Sequence, residues 1–427
     1  MRTVALLSAL LSVVLSVLGL WSLPATGQAP AALGLADLVA LADQRNPAIA
    51  AARQAVTAAQ ARVALARAGR GPTVTASTTP TVSSGSGLTP QGFSASAGVG
   101  ATYVLYDSGQ IAHAVRQAEA NLKAAQLALE ATRQDVALSV AQAYVNVLRA
   151  ERAVRVREQV VVQTRELLRL AEGQFRAGVV ARADVVRAQA NLAAAEGELL
   201  AARNAVDQAK AALNAAIGQP AATPLAVAPP PPTPRLTLAQ AALPTLADER
   251  PEVRRAMAEL EAAEAGLALA QASGGWRVTL DARAAQNLTP STSTTWSVSG
   301  AVSVPLADAG RTAAAVAEAQ ATLAAARARI ETARLAAQQQ SLQAYLNLLS
   351  ARARIESARA GLLFAQESLR LAQGRYAAGA GTLLEVTDAQ TALVTAEQAL
   401  ANAEFDELAA ALSLRHALGR SVVSGAI

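Results

Sequence analysis

Two long stretches of the chain carry apolar residues at a spacing of seven. Val140, Val147, Val154, Val161, Leu168 and Phe175 follow one another at that interval, as do Leu348, Ile355, Leu362, Leu369 and Tyr376. A seven-residue period keeps one seam of a helix facing a neighbour and predicts left-handed supercoiling. Small residues beside the seam, such as Ala143, Ala150 and Ala171, allow close approach. No proline occurs between Pro90 and Pro220 or after Pro305, so nothing in either stretch removes a backbone donor or clashes with the preceding turn. The pattern predicts helices over about 110–177 and 311–378, each roughly 100 Å long at about 1.5 Å per residue. Taken alone, this period is equally that of a solvated coiled coil.

Each long helix meets a glycine, Gly178 or Gly379, which accepts the left-handed conformation that follows a helix end. A second helix then begins. Thr382-Leu-Leu-Glu385 reads as a capping box. At the equivalent point of the first stretch Ala181 replaces the threonine, leaving Asp184 to favour the positive helix end. Each unit therefore closes as a helical hairpin with a tight tip (178–184 and 379–385), and its returning helix runs to about 217 and 417.

The two stretches are copies. Adding 201 carries Asp107-Ser-Gly109 to Asp308-Ala-Gly310, Gln142-Ala-Tyr144 to Gln343-Ala-Tyr345, Asp184 to Glu385 and Gly218 to Gly419. A constant offset over more than a hundred residues fits rigid, continuous elements, and self-similarity of this kind defines the architecture. Upstream, the amphipathic stretch Leu35–Ala68, punctuated by Asn46-Pro47, matches Leu238–Gln271 with Arg250-Pro251 at an offset of 204. The difference of three falls in the segment between, where loops tolerate length changes.

That segment has another period. Phe93, Ala95, Ala97, Val99, Ala101, Tyr103 and Leu105 alternate with Ser94, Ser96, Gly98, Gly100 and Thr102. Val278, Leu280, Ala282 and Ala284 alternate with Thr279, Asp281 and Arg283, and Trp296, Val298 and Val302 with Ser297, Ser299 and Ser303. Such alternation predicts strands: one β-hairpin per unit, at about 73–106 and 277–306, with polar loops at Ser83–Gly92 and Asn287–Thr295. The fold class is mainly α with a small β part, a duplicated helix–β-hairpin–long helix–helix unit. Two readings stay open for the strands, a small soluble sheet packed on the helices and an outer-membrane barrel. Strand length and the aromatics Phe93, Tyr103, Tyr106, Trp276 and Trp296, placed as an interfacial girdle, fit the barrel. Four strands cannot close one, and open edges cannot face lipid, so insertion demands several chains.

Arg2, the apolar run Val4–Leu20 and small residues at Ala25 and Gly27 read as an export signal over 1–27, with a retained anchor as the other reading. The first repeat then spans 28–219. A linker over 220–235, with Pro229–Pro232 consecutive, is extended and semi-rigid, and the second repeat spans 236–427. The chain has no cysteine, which excludes disulfides and thiolate metal sites. Its only histidines, His113 and His416, lie far apart, so no catalytic, metal or cofactor site is expected. The pI of about 10.0 suggests nucleic acid only superficially, because the arginines are interleaved with Asp and Glu along helical faces.

The paired order of Asn46-Pro47 and Arg250-Pro251, Asp107-Ser-Gly109 and Asp308-Ala-Gly310, and the two tips resembles the TolC-like outer-membrane efflux proteins over essentially the whole mature chain. The resemblance implies a homotrimer: twelve strands closing a barrel in outer-membrane lipid, continued by a periplasmic α-barrel. Its tips would meet a periplasmic adaptor joined to an inner-membrane pump of RND or ABC type. It implies docking tips at Gly178, Val179, Val180, Ala181, Gly379, Thr382 and Leu383. It implies a constriction at Asp184, Glu385 and Asp388, with Tyr376 on the gate-holding hairpin. Gly381 stands where a gating arginine is expected, which leaves Arg182 and Arg187 as candidate partners for these acids. The function implied is a passive exit duct for efflux or type I secretion. An exported coiled-coil or adaptor-like hairpin protein without a pore is the reading from another class.

Overall fold

The computed structural model describes residues 32–83, 92–230, 240–289 and 292–423. The expected signal segment, most of the first hairpin loop, and Pro231 and Pro232 of the linker lie outside these residues. The elements run α1 (Leu35–Arg45), α2 (Pro47–Ala68), β1 (Thr73–Ser83), β2 (Gly92–Tyr106), α3 (Gln110–Arg176) and α4 (Arg182–Ile217). A short 3-10 turn (Gln240–Ala242) then opens the second unit: α5 (Leu243–Ala247), α6 (Pro251–Ala272), β3 (Arg277–Thr289), β4 (Ser293–Ser303), α7 (Arg311–Ala377) and α8 (Leu383–Ala417). Helices α3 and α7 have 67 residues each.

The seam positions do what the heptads require. Val140, Val147, Val161, Leu348, Ile355, Leu369 and Tyr376 are buried. Helix α3 packs along α4 and α7 along α8, α6 lies between α3 and α7, and α3 also meets α8. Val154, Leu168 and Leu362 are half-buried, and Phe175, the last seam residue of the first copy, is exposed.

The repeated motifs are joints. Asn46 accepts a hydrogen bond from the Ala48 backbone (2.8 Å) and so caps α2, while its side-chain amide donates to the Ala216 carbonyl (2.8 Å) near the end of α4. Gly218 presses on that joint: a Cβ there would sit 2.7 Å from the Arg45 carbonyl oxygen. In the second copy Arg250 is buried and donates to Gln340 (2.7 Å) and Glu252 (3.0 Å). At the strand-to-helix junctions Asp107 accepts from the Gly109 and Ile111 backbones (3.0 and 2.6 Å), and Asp308 from those of Gly310 and Thr312 (3.0 and 2.8 Å). These carboxylates satisfy donors that a helix start leaves free. They hold Ser108 and Ala309 at positive φ (55° and 51°) ahead of Gly109 and Gly310. Ser108 also donates to the Trp276 carbonyl (2.8 Å), tying the two repeats together.

Linker residues 226–228 are pinned to the first repeat. Leu33 exchanges backbone hydrogen bonds with Ala226 and Ala228 (both 3.0 Å), and the buried Tyr144 donates to the Ala228 carbonyl (3.0 Å). Burial pushes the Tyr144 phenol up to about 12.

The four strands form one antiparallel sheet in chain order, β1-β2-β3-β4. The second hairpin is tighter than the composition of its loop suggests: its strands extend to Thr289 and resume at Ser293, with Asn287 already paired to Ser293.

Candidate functional site

Two regions bring the singled-out residues together, the sheet and the paired tips. In the sheet, residues facing each other across an antiparallel pair point to the same side, and neighbours along a strand point to opposite sides. The register therefore puts Val74, Val82, Phe93, Val99, Tyr103, Leu280, Trp296, Val298 and Val302 on one side. On the other stand Thr75, Ser77, Ser94, Ser96, Thr102, Ser297 and Ser299. The apolar side is bare, with Val82 and Trp296 each 80% exposed.

One expectation changes here. The register shifts between Val104 and Tyr106, leaving Leu105 as an extra residue, the local signature of a bulge. Tyr106 therefore joins the side that Tyr103 occupies. Tyr106 stacks at a tilt on Trp276, with ring centroids 4.8 Å apart. Tyr103, Tyr106 and Trp276 thus sit at the helical end of the sheet, and Phe93 lies near the loop end.

At the tips, each long helix ends in the same pair of backbone bonds. Gly178 donates to Phe175 (3.0 Å) and Val179 to Gln174 (2.9 Å); Gly379 donates to Tyr376 (3.0 Å) and Ala380 to Arg375 (2.9 Å). This is the Schellman closure, which requires the left-handed residue, and both glycines have positive φ (74° and 70°). The returning helices begin differently. Thr382 accepts from the Glu385 backbone (3.3 Å), while Ala181 supplies no side-chain cap. The reciprocal half of the capping box is replaced, because the Glu385 carboxylate reaches Arg375 (3.2 Å). That pairing also replaces the expected one: among the described residues neither Arg182 nor Arg187 is ion-paired with Asp184, Glu385 or Asp388. At Gly381 a Cβ would lie 3.1 Å from both Arg375 Cβ and the Tyr376 backbone nitrogen, a tight fit, and the arginine that meets Glu385 comes from the last turn of α7. A basic residue there was the available sign, since it suits a helix C-terminus.

The two tips touch each other. Gln174 donates to the Tyr376 carbonyl (3.2 Å), and beneath them Leu167, Ala171, Leu369, Tyr376, Leu383 and Val386 share one core. Tyr376 is 2% exposed. Burial, with the Asp184 charge nearby, raises its phenol above the ordinary tyrosine value. Leu383, expected on the docking surface, is 2% exposed and belongs to that core; its neighbour Leu384, at 51%, faces out. Helical phase decides between the two, and an adjacent leucine pair does not announce it. Gly178, Val179, Ala181, Gly379 and Thr382 are exposed and Val180 is half-buried. Asp388 is exposed, and Asp184 and Glu385 are partly so.

Among the described residues no group of three or more His, Cys, Asp or Glu could hold a metal, and no helix is long and apolar enough to cross a membrane.

The outer membrane efflux protein family matches residues 38–219 and 242–420, one block in each repeat. The chain belongs to that family. Among curated proteins it is similar to Protein CyaE of Bordetella pertussis, 31% identical over 258 residues, or 59% of this chain. That match spans 54% of CyaE, about half its length. Among solved structures, that of CusC covers 90% of this chain and 92% of its own at a TM-score of 0.81 and 22% identity. That of the outer membrane protein VceC from Vibrio cholerae covers 91% and 96% at 0.77 and 25%. The TolC-like fold is therefore established, with its long helical extension, and the family places the chain in the outer membrane. Family and fold are those of outer-membrane efflux channel proteins without enzymatic chemistry.

Proposed function

We propose that three copies of this chain form the outer-membrane exit duct of a tripartite efflux or type I secretion machine. The observation that carries this reading is the two-faced sheet. Its apolar side is exposed, and the outer edges of β1 and β4 have no partner strand among the described residues. In lipid an open edge is intolerable, and β4 of one copy pairing with β1 of the next gives twelve strands and no edge. Pro80 in β1 fits an edge that tolerates a missing donor. Phe93 and Tyr103, ten residues apart on β2, are separated by about 34 Å along the strand at about 3.4 Å per residue. At a tilt of about 45° this is about 24 Å along the barrel axis, against an apolar band about 25 Å tall. Phe93, Tyr103, Tyr106, Trp276 and Trp296 are then the interfacial girdle.

The helices carry the duct into the periplasm. Gly178, Val179, Val180, Ala181, Gly379 and Thr382 form the adaptor-docking tip, with Leu384 in the place expected of Leu383. An inner-membrane pump of RND or ABC type completes the machine. Asp184, Glu385 and Asp388 from three chains narrow the mouth and attract cations, as acidic rings do in channels, and the buried Tyr376 holds the inner hairpin in place.

The test is single-channel recording on protein extracted by detergent from the outer membrane as a heat-sensitive trimer. Stepwise conductance is expected, with block by multivalent cations that weakens in the Asp184→Ala, Glu385→Ala double variant. A water-soluble monomer that passes no current would refute the duct; unchanged block in the double variant would move the constriction elsewhere.

A further inference from the structure

Charge on the sheet is confined to one strand and one side. Strands β1, β2 and β4 contain no Asp, Glu, Lys or Arg, whereas β3 contains Arg277, Asp281 and Arg283. These three sit at alternate positions in an unbroken register with β4, opposite Ser303, Ser299 and Ser297. All three therefore stand on the polar side. Asp281 is held within the sheet: Thr102 donates to one carboxylate oxygen (2.7 Å) and Thr279 to the other (3.1 Å). The arginines are not held in this way. Among the described residues neither guanidinium is in an ion pair, and Arg283 faces Gly100 across the strand, where an added Cβ would lie 3.7 Å from its Cγ. The glycine lets the arginine stem lie over β2, with its head exposed and within electrostatic reach of Asp281.

We infer that Arg277 and Arg283 of the three chains form a collar inside the barrel that attracts polyvalent oxyanions, with Asp281 as its built-in counter-charge. This rests on the three-chain duct proposed above. With the apolar side in lipid, the polar side lines the lumen, and the collar carries one net positive charge per chain. A guanidinium presents a planar fork that matches the oxygens of phosphate and carboxylate groups. Rings of Arg or Lys suit anion-conducting pores, and low-dielectric walls strengthen their field. The collar and the acidic mouth stand at opposite ends of helices about 100 Å long, against a screening length of about 8–10 Å. The duct thus carries two filters of opposite sign in series, each acting on its own.

The experiment uses the full-length protein in planar bilayers, with inorganic tripolyphosphate added on the side of the hairpin loops. Block of the wild type is expected. The Arg277→Gln, Arg283→Gln double variant should need at least about tenfold more tripolyphosphate for the same block, and its reversal potential in a KCl gradient should move toward cations. The Arg277→Lys, Arg283→Lys variant should retain most of the block, and Asp281→Asn should tighten it, a gain that poor assembly would not produce. Channels whose block and reversal potential are the same in the glutamine variant overturn the collar and leave the duct standing. A wild type that passes no current removes both.

Discussion

At the first hairpin tip Ala181 starts the returning helix with no side-chain hydrogen bond, whereas at the second Thr382 accepts one from the Glu385 backbone. The backbone closures before them are the same, residue for residue. The second tip also buries Tyr376, Leu383 and Val386, while at the matching positions of the first Phe175 and Arg182 are exposed and Val185 is half-buried, with Val179 and Val186 exposed beside them. Duplication has kept the turn, whose geometry depends on one glycine, and has let the side chains diverge. The second tip anchors the hairpin pair, and the first offers the apolar surface.

This contrast can be broken most sharply at Tyr376. Tyr376→Ala should lower stability by about 3–5 kcal/mol, the cost of emptying a buried aromatic site, while Phe175→Ala at the matching exposed position should cost far less. Thermal unfolding of the two variants in detergent checks this, and equal losses would dissolve the distinction. The shared turn should respond equally in both copies: Gly178→Ala and Gly379→Ala each place a Cβ at positive φ, at a cost of about 1–2 kcal/mol. Denaturant midpoints that fall by different amounts would show that the closures are not equivalent.

The caps should be transferable. Thr382→Ala should cost about 1 kcal/mol, and Ala181→Ser should gain a similar or smaller amount; hydrogen exchange of the first turns of α4 and α8 reports each separately. Smaller still is the exposed ion pair: Arg375→Gln should change stability by about 0.2–1 kcal/mol and less at high salt, and a larger loss would make that pair a true latch. At neutral pH Tyr376→Phe should be nearly silent, since the buried hydroxyl has no hydrogen-bond partner. In alkali it should not be silent. Because the folded-state value lies above the ordinary one near 10.0, the phenol's contribution is complete below that value and is lost as pH rises through the raised one. The wild type should therefore loosen at its second tip in alkali, the Phe variant should not, and near-ultraviolet absorbance of the phenolate reads the difference.

Much of this was legible in the chain. Heptads, missing prolines and the constant offset fixed both long helices to within a residue, and the glycines marked the turns. The aspartates of Asp107-Ser-Gly109 and Asp308-Ala-Gly310 proved to be caps, and alternation found all four strands. What escaped depends on phase or on distant partners. One extra residue at Leu105 turns Tyr106 over, and alternation cannot register an insertion in a strand paired elsewhere. Leu383 and Leu384 differ by a single helical step. The Arg375–Glu385 pair bridges a turn whose path depends on the crowding around Gly381. The tie of Tyr144 to Ala228 joins a helix to the linker 84 residues later, and no local pattern announces it.

The equal count of 67 residues in α3 and α7 has an evolutionary consequence. Both helices start from matching caps and end in matching turns that touch through Gln174 and Tyr376. One residue added to either alone would swing its end by about 100° and advance it about 1.5 Å, parting the two mouths. The lineage of such a chain is free to drift in spelling but not in length, and any lengthening has to arrive in both halves together.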